Sequence, residues 1–220
     1  MNRRHFIAAI GAALTVGAYA AGHGTARVPA NLPPPTRTIV VLGDSLSAEY
    51  GLQRGTGWVA LLERRLAGES ISARVVNASI SGDTTSGGRS RLGALLAQHK
   101  PTHVIIELGG NDALRGLPLQ MTEDNLGQMI QAAQKAGAKV LLVGMQVPPN
   151  YGSDYASRFA AVFDKVARNS KAALVPFLLK GVADGADPTA LFQNDRIHPK
   201  EEAHPIILAN VWPELRKQLR

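Results

Sequence analysis

The chain has 220 residues, 45% hydrophobic and 19% charged, enough to bury the core of one ordinary globular domain. It contains no cysteine, which excludes a disulfide, a thiolate nucleophile, a cysteine-ligated zinc and a lipid-anchoring cysteine. The formal charge of +7 is spread over scattered basic residues without interleaved aromatics, a solvated basic surface that gives no sign of nucleic-acid binding.

The N-terminus reads as an export signal. Arg3-Arg4 supply positive charge, an alanine-rich apolar run extends to Ala21, and Ala18-Tyr19-Ala20 is a small-x-small cleavage site. The run is shorter than a membrane-spanning helix needs. Residues 1–20 are therefore expected to be a signal peptide, with an uncleaved anchor as the alternative. The arginine pair followed by His5-Phe6-Ile7 also resembles a twin-arginine signal. Removal of Arg3 and Arg4 would leave a charge of +5 on a periplasmic or secreted protein. Residues 21–35, closing on Pro33-Pro34-Pro35, read as an extended linker before a domain over 36–220.

From Thr36 on, short apolar runs alternate with helical patterns. Residues 38–42 (Thr-Ile-Val-Val-Leu) form a continuous apolar run of the kind buried on both faces of a sheet. Further strands are predicted at 73–77, 103–108, 139–143 and 173–175. Helices are predicted at 58–67, 89–98, 123–136 and 155–169, and a last one at 199–219, broken at Trp212-Pro213. The alternation predicts an α/β fold with a parallel sheet covered by helices on both sides.

Ligands in such sheets bind beyond the carboxyl ends of the strands. The loops there carry the unusual residues: Gly43-Asp44-Ser45-Leu46, Ser81-Gly82-Asp83, Gly109-Gly110-Asn111-Asp112, and late in the chain Asp195-Arg196-Ile197-His198. A serine hydroxyl attacks only if a base takes its proton. His5 and His23 precede the domain, His99 ends a helix, and His103 begins a strand at the wrong end of the sheet. His198, three residues after Asp195, is preferred as the base, and His204, without an orienting carboxylate, is the alternative. Ser45, expected at the start of a helix, would offer its backbone N–H to an oxyanion; Gly82 would offer another and Asn111 its side-chain amide. Each has a plainer reading. Gly-Asp-Ser makes good turns, Gly82 can simply supply a positive φ, Asn111 can cap a helix, and Asp195 can pin a loop. Their joint order at one sheet edge favours catalysis by Ser45, Asp195 and His198.

At these four blocks the chain resembles the GDSL, or SGNH, hydrolase family. The longer strings Val76-Asn77-Ala78-Ser79-Ile80-Ser81-Gly82-Asp83-Thr84 and Glu107-Leu108-Gly109-Gly110-Asn111-Asp112, with Leu114-Arg115-Gly116, are similar to its bacterial thioesterase I / protease I / lysophospholipase L1 (arylesterase) branch. The resemblance implies a three-layer α/β/α, flavodoxin-like fold with a five-stranded parallel sheet. It implies an acyl-enzyme mechanism without metal or other cofactor, with Ser45, Gly82 and Asn111 as oxyanion donors. The implied substrates are aryl esters, acyl thioesters or lysophospholipids. The scattered basic charge, apart from the resemblance, allows transient contact with membrane lipid if the substrate is a lipid; oligomeric state is left open. Leu46, Leu114, Leu117, Val147 and Ile197, in or beside the same loops, are expected to line an acyl groove. The segment from Gly144 to Tyr151 departs from the branch at Val147-Pro148-Pro149, next to where that groove would run.

Three other readings are weaker. A metal-dependent phosphoesterase would need more histidines and carboxylates in these loops. A nucleotide-binding domain would need a glycine-rich phosphate loop after the first strand, and an α/β-hydrolase a Gly-x-Ser-x-Gly elbow. A non-catalytic lipid or glycan module would have no use for Ser45, Asn111, Asp195 and His198 together.

Overall fold

The computed structural model describes residues 36–220; the expected signal peptide and linker lie outside the described residues. Five strands, β1 (Arg37–Gly43), β2 (Ala73–Asn77), β3 (His103–Glu107), β4 (Lys139–Val143) and β5 (Ala173–Val175), pair in parallel in the order β2-β1-β3-β4-β5. Six helices connect and cover them: α1 (Trp58–Gly68), α2 (Thr85–His99), α3 (Gly110–Leu114), α4 (Leu119–Lys135), α5 (Ser153–Ser170) and α6 (His204–Gln218). Helix α1 packs against α6, while α2 packs against α4 and α4 against α5. Two helical layers therefore enclose the sheet, the α/β/α arrangement expected from the alternation.

Burial explains the sequence pattern. Ile39, Val40, Val41 and Leu42 are completely buried, as are Val104, Ile105 and Ile106 of the adjacent strand. A central strand covered on both faces has no polar side to show, so its sequence does not alternate. The helices show the complementary period. On α5 the buried residues are Phe159, Val162, Phe163, Val166 and Ala167, one stripe along a helix of 3.6 residues per turn. Lys100 and Lys171 stop α2 and α5 in the left-handed conformation.

Some element bounds differ from the sequence reading. Helix α2 begins at Thr85 rather than Arg89, because the Thr84 hydroxyl accepts the Gly87 N–H and caps it. Gly88, a poor helix former, is used for contact: a Cβ there would lie 2.3 Å from Leu108 Cδ1. Helix α4 starts at Leu119 rather than residue 123. Near the C-terminus, a 3-10 turn at Glu201–Ala203 precedes α6, and α6 then runs through Pro213 without ending there. Trp212 and Leu215, buried on either side of Pro213, hold the helix across the one hydrogen bond that proline removes.

The chain leaves β1 for β2 on one side and later crosses to β3 on the other. The crevice at the carboxyl ends of β1 and β3 is the switch point at which open sheets of this kind bind ligands.

Candidate active site

Ser45 follows β1 at that switch point. Residues 45–50 form successive turns and not the start of a helix as expected, since α1 begins only at Trp58. The turns are closed by Ala48 N–H to Asp44 O at 2.9 Å and Tyr50 N–H to Ser45 O at 3.4 Å. The Ser45 hydroxyl lies 2.9 Å from His198 Nε2, and His198 Nδ1 lies 2.7 Å from Asp195 Oδ2. An ionised carboxylate only accepts, so Nδ1 carries the proton and donates to Asp195; Nε2 of the neutral ring then accepts from Ser45.

The loop that holds acid and base is built locally. An antiparallel bridge between Phe192 and Pro199 closes it, and Gln193 N–H donates to His198 O at 2.8 Å. Asp195 Oδ1 accepts the N–H groups of Ile197 and His198 at 2.9 and 3.0 Å, and Arg196 takes φ +57° to complete the turn. Desolvation works to raise the Asp195 pKa, but the His198 backbone and ring and the Ile197 N–H outweigh it and bring the carboxyl down to about 2. The carboxylate is therefore charged at any pH where imidazole can act as a base.

Sequence reasoning missed the residues that join this loop to the nucleophile. Gln193 Nε2 donates to Tyr50 O and to Pro199 O, both at 3.0 Å. Its amide sits so close to Gly51 that a Cβ there would lie 2.2 Å from Gln193 Oε1. The Tyr50 ring covers the His198 ring at 4.2 Å between centroids. These contacts join residues some 150 positions apart, and no local spacing announces them.

Two groups that the chemistry needs are unengaged. Among the described residues, neither the Ser45 nor the Gly82 backbone N–H finds an acceptor. Gly82 has φ +79°, a conformation in which a side chain is strained, and its carbonyl is held by Arg115 Nη2 at 2.7 Å. Asn111 Nδ2 donates one hydrogen to Asp44 Oδ2 at 3.0 Å, which fixes the amide and leaves its second hydrogen available. Asp44 also accepts the Leu46 N–H at 3.0 Å.

Beneath the nucleophile lies a buried polar cluster. Trp58 Nε1 donates to Ser47 Oγ at 3.2 Å, and Ser47 donates to Glu107 Oε2 at 2.7 Å. Burial, with a smaller push from the Asp83 charge, raises the Asp44 pKa to about 6, although the Leu46 N–H, the Asn111 amide and His198 oppose it. Burial and the neighbouring Asp44 push Glu107 well above the ordinary carboxylate range. Among the described residues, no three carboxylate or imidazole groups converge as metal ligands would.

His204, the alternative base, and His103, already set aside, are both structural. His103 is buried at the start of β3, its ring between Thr102 Oγ1 and Gln218 O. His204 Nδ1 accepts the Trp58 N–H at 3.0 Å and so caps α1. Of the expected groove residues, Leu114 and Ile197 are exposed, and Leu117 and Val147 are half-buried. Leu46 is instead 93% buried in the core and offers a substrate almost no surface.

The comparisons with known proteins fit this geometry. Residues 41–206 match the GDSL-like lipase/acylhydrolase family. The chain belongs to that family. It is 53% identical over 183 residues, 83% of this chain and 90% of the relative, to Esterase TesA of Pseudomonas aeruginosa. It is 44% identical to the Escherichia coli K12 protein named thioesterase 1/protease 1/lysophospholipase L1, over 77% of this chain and 79% of the relative. A crystal structure of TesA superposes with a TM-score of 0.80 at 53% identity, covering 83% of this chain and 99% of the crystallised one. That crystallised relative is folded with essentially nothing beyond the matched domain. With membership of the GDSL-like family comes the class of chemistry, hydrolysis of carboxylic esters by an activated serine.

Proposed function

We infer that the chain hydrolyses carboxylic esters through an acyl-enzyme on Ser45. The observation that carries this reading is the unbroken line from Ser45 Oγ through His198 to Asp195, at 2.9 and 2.7 Å. His198 Nε2 takes the hydroxyl proton as Ser45 attacks the ester carbonyl, and Asp195 stabilises the imidazolium that forms. The tetrahedral oxyanion is received by the Ser45 and Gly82 N–H groups and the free hydrogen of Asn111. His198 then gives its proton to the departing alkoxide or thiolate. Water, activated by the same ring, releases the acid. Every step uses groups of this chain, and no cofactor enters.

The proposed substrates are aryl esters, acyl thioesters and lysophospholipids, which accords with the relatives' names, an arylesterase of Vibrio mimicus at 42% identity among them. The acyl chain is assigned to the groove bordered by Leu114, Leu117, Val147 and Ile197. The proposed location is the periplasm or the exterior, after cleavage near Ala20; the charged start, apolar run and Ala18-Tyr19-Ala20 support it.

The test is turnover of p-nitrophenyl acyl esters from acetate to palmitate by the chain from Ala21 onward, beside Ser45→Ala and a chelator control. Chelator-resistant turnover abolished in Ser45→Ala is the expected result. Turnover that survives the substitution would remove Ser45 from the mechanism.

A further inference from the structure

Among the described residues, five large apolar side chains stand exposed: Tyr50 at 50%, Ile80 at 53%, Leu114 at 46%, Tyr151 at 36% and Ile197 at 46%. Single exposed apolar residues scattered over a surface are ordinary. These are not scattered. Tyr50 follows β1, Ile80 follows β2, Leu114 follows β3, Tyr151 follows β4, and Ile197 lies in the acid–base loop after β5. Each of the five segments that follow the strands at the carboxyl edge of the sheet contributes one, and Ser45 lies at that same edge. Exposed apolar groups concentrated on one rim mark a surface that meets an apolar partner.

Acyl binding alone does not account for the set. Leu114 and Ile197 border the groove assigned above, but Ile80 belongs to the opposite, β2 side of the nucleophile, and Tyr50 covers the back of the His198 ring. The charges on the same loops indicate the partner's sign. Glu49 is turned onto the N–H groups of Gly55 and Gly57, Asp83 is paired with Arg91, and Asp195 with His198. Among the described residues, the exposed arginines Arg54 and Arg196 have no carboxylate partner, and Arg115 bonds only a backbone carbonyl. Glu49, Asp83 and Asp195 are thus engaged within the chain, while these arginines face solvent.

We propose that this rim docks onto the surface of an anionic phospholipid bilayer, seating Ser45 at the membrane where acyl esters reside. Apolar side chains enter the headgroup boundary and arginines meet the phosphates. The proposal rests on the ester-hydrolase reading and extends it from a dissolved substrate to an interface.

The experiment uses the chain from Ala21 onward, which contains the whole described domain. It measures cosedimentation with phosphatidylcholine vesicles with and without phosphatidylglycerol, and in parallel the hydrolysis of dissolved p-nitrophenyl acetate. The wild-type protein is expected to bind the phosphatidylglycerol vesicles and to bind them less as salt rises. Ile80→Glu should weaken that binding roughly tenfold or more, and Arg54→Gln about fivefold. Both should turn over p-nitrophenyl acetate at the wild-type rate, which also shows that they fold. Vesicle binding that is absent in wild type, or unchanged in Ile80→Glu, overturns the docking surface while acetate turnover keeps the esterase reading. Equal binding to pure phosphatidylcholine overturns the anionic assignment. Dimerisation without vesicles that Ile80→Glu abolishes would show that a second copy covers the rim, and would also overturn it. Loss of acetate turnover in wild type would instead sink the esterase reading.

Discussion

The Arg91 guanidinium on α2 meets the Asp83 carboxylate at 2.7 Å, one residue beyond the glycine whose N–H is left free beside Ser45. The same side chain donates to Ala78 O, at the start of that loop, and reaches Gly43 O, at the end of β1, at 3.4 Å. One half-buried cation thus ties the Gly82 loop to the strand that carries the nucleophile. Arg91→Ala is expected to lower kcat by about 30-fold with KM little changed, since a misplaced oxyanion donor is felt only in the transition state. Arg91→Lys keeps the charge but not the fork and should recover part of the loss. Steady-state kinetics alongside a thermal melt separates this from simple unfolding.

Tyr50 holds the His198 ring by its face, so the ring itself, not the phenol, carries the effect. Tyr50→Phe should retain nearly full kcat. Tyr50→Ala should lose about tenfold, the scale on which small misplacements of a base act. Equal rates for the two variants would remove this role.

His198 and His204 lie six residues apart and have opposite duties. His204→Ala leaves the Trp58 N–H without its acceptor in a buried setting, a cost of about 1–3 kcal/mol. The melting temperature should fall while kcat at moderate temperature stays near wild type. His198→Ala should do the reverse, losing activity by several orders of magnitude with the melt almost unmoved.

The buried pair Asp44 and Glu107 sets a pH dependence of stability. Burial raises both above the ordinary range, and the neighbouring Asp44 charge adds to the shift of Glu107. Their contribution is therefore complete below the unfolded carboxylate range and is lost as pH climbs through the folded values, about 6 for Asp44 and well above the ordinary carboxylate range for Glu107. Glu107→Gln removes one ionisable member and can still accept from Ser47. Its melting temperature should match wild type at about pH 4 and exceed it by several degrees at about pH 8. Asp195 has the opposite sign: its depressed pKa stabilises above the ordinary carboxylate range and fades as pH falls toward 2.

The parts of the molecule that were readable from sequence are those in which burial imposes a local pattern. The strands were plain because two-sided burial leaves Ile39 to Leu42 nothing polar to display. Asp195 and His198 were plain because one turn of chain holds both. Helix α3, five residues beginning Gly-Asn-Asp, has too few turns to show a period. The start of α2 was hidden by Gly87 and Gly88, which are selected for close approach and read as breakers. Tyr50, Gln193 and Glu107 act across the fold, and their partners are set by topology rather than by spacing. Leu46 was misplaced because the turn after β1 rotates it inward, a detail of backbone direction that residue type does not carry.

The catalytic groups are divided unevenly along the chain. Ser45, Gly82 and Asn111 lie on the segments after the first three strands, whereas acid and base come together on one closed loop followed by α6. Residues 184–190, which separate that final segment from β5, are exposed and carry no regular helix or strand. A cut there would yield two fragments, one bearing the nucleophile with its oxyanion donors and the other an intact proton-transfer pair. Neither could turn over alone, so ester hydrolysis would report their reassociation, and the enzyme could serve as a switch assembled by whatever brings the two pieces together.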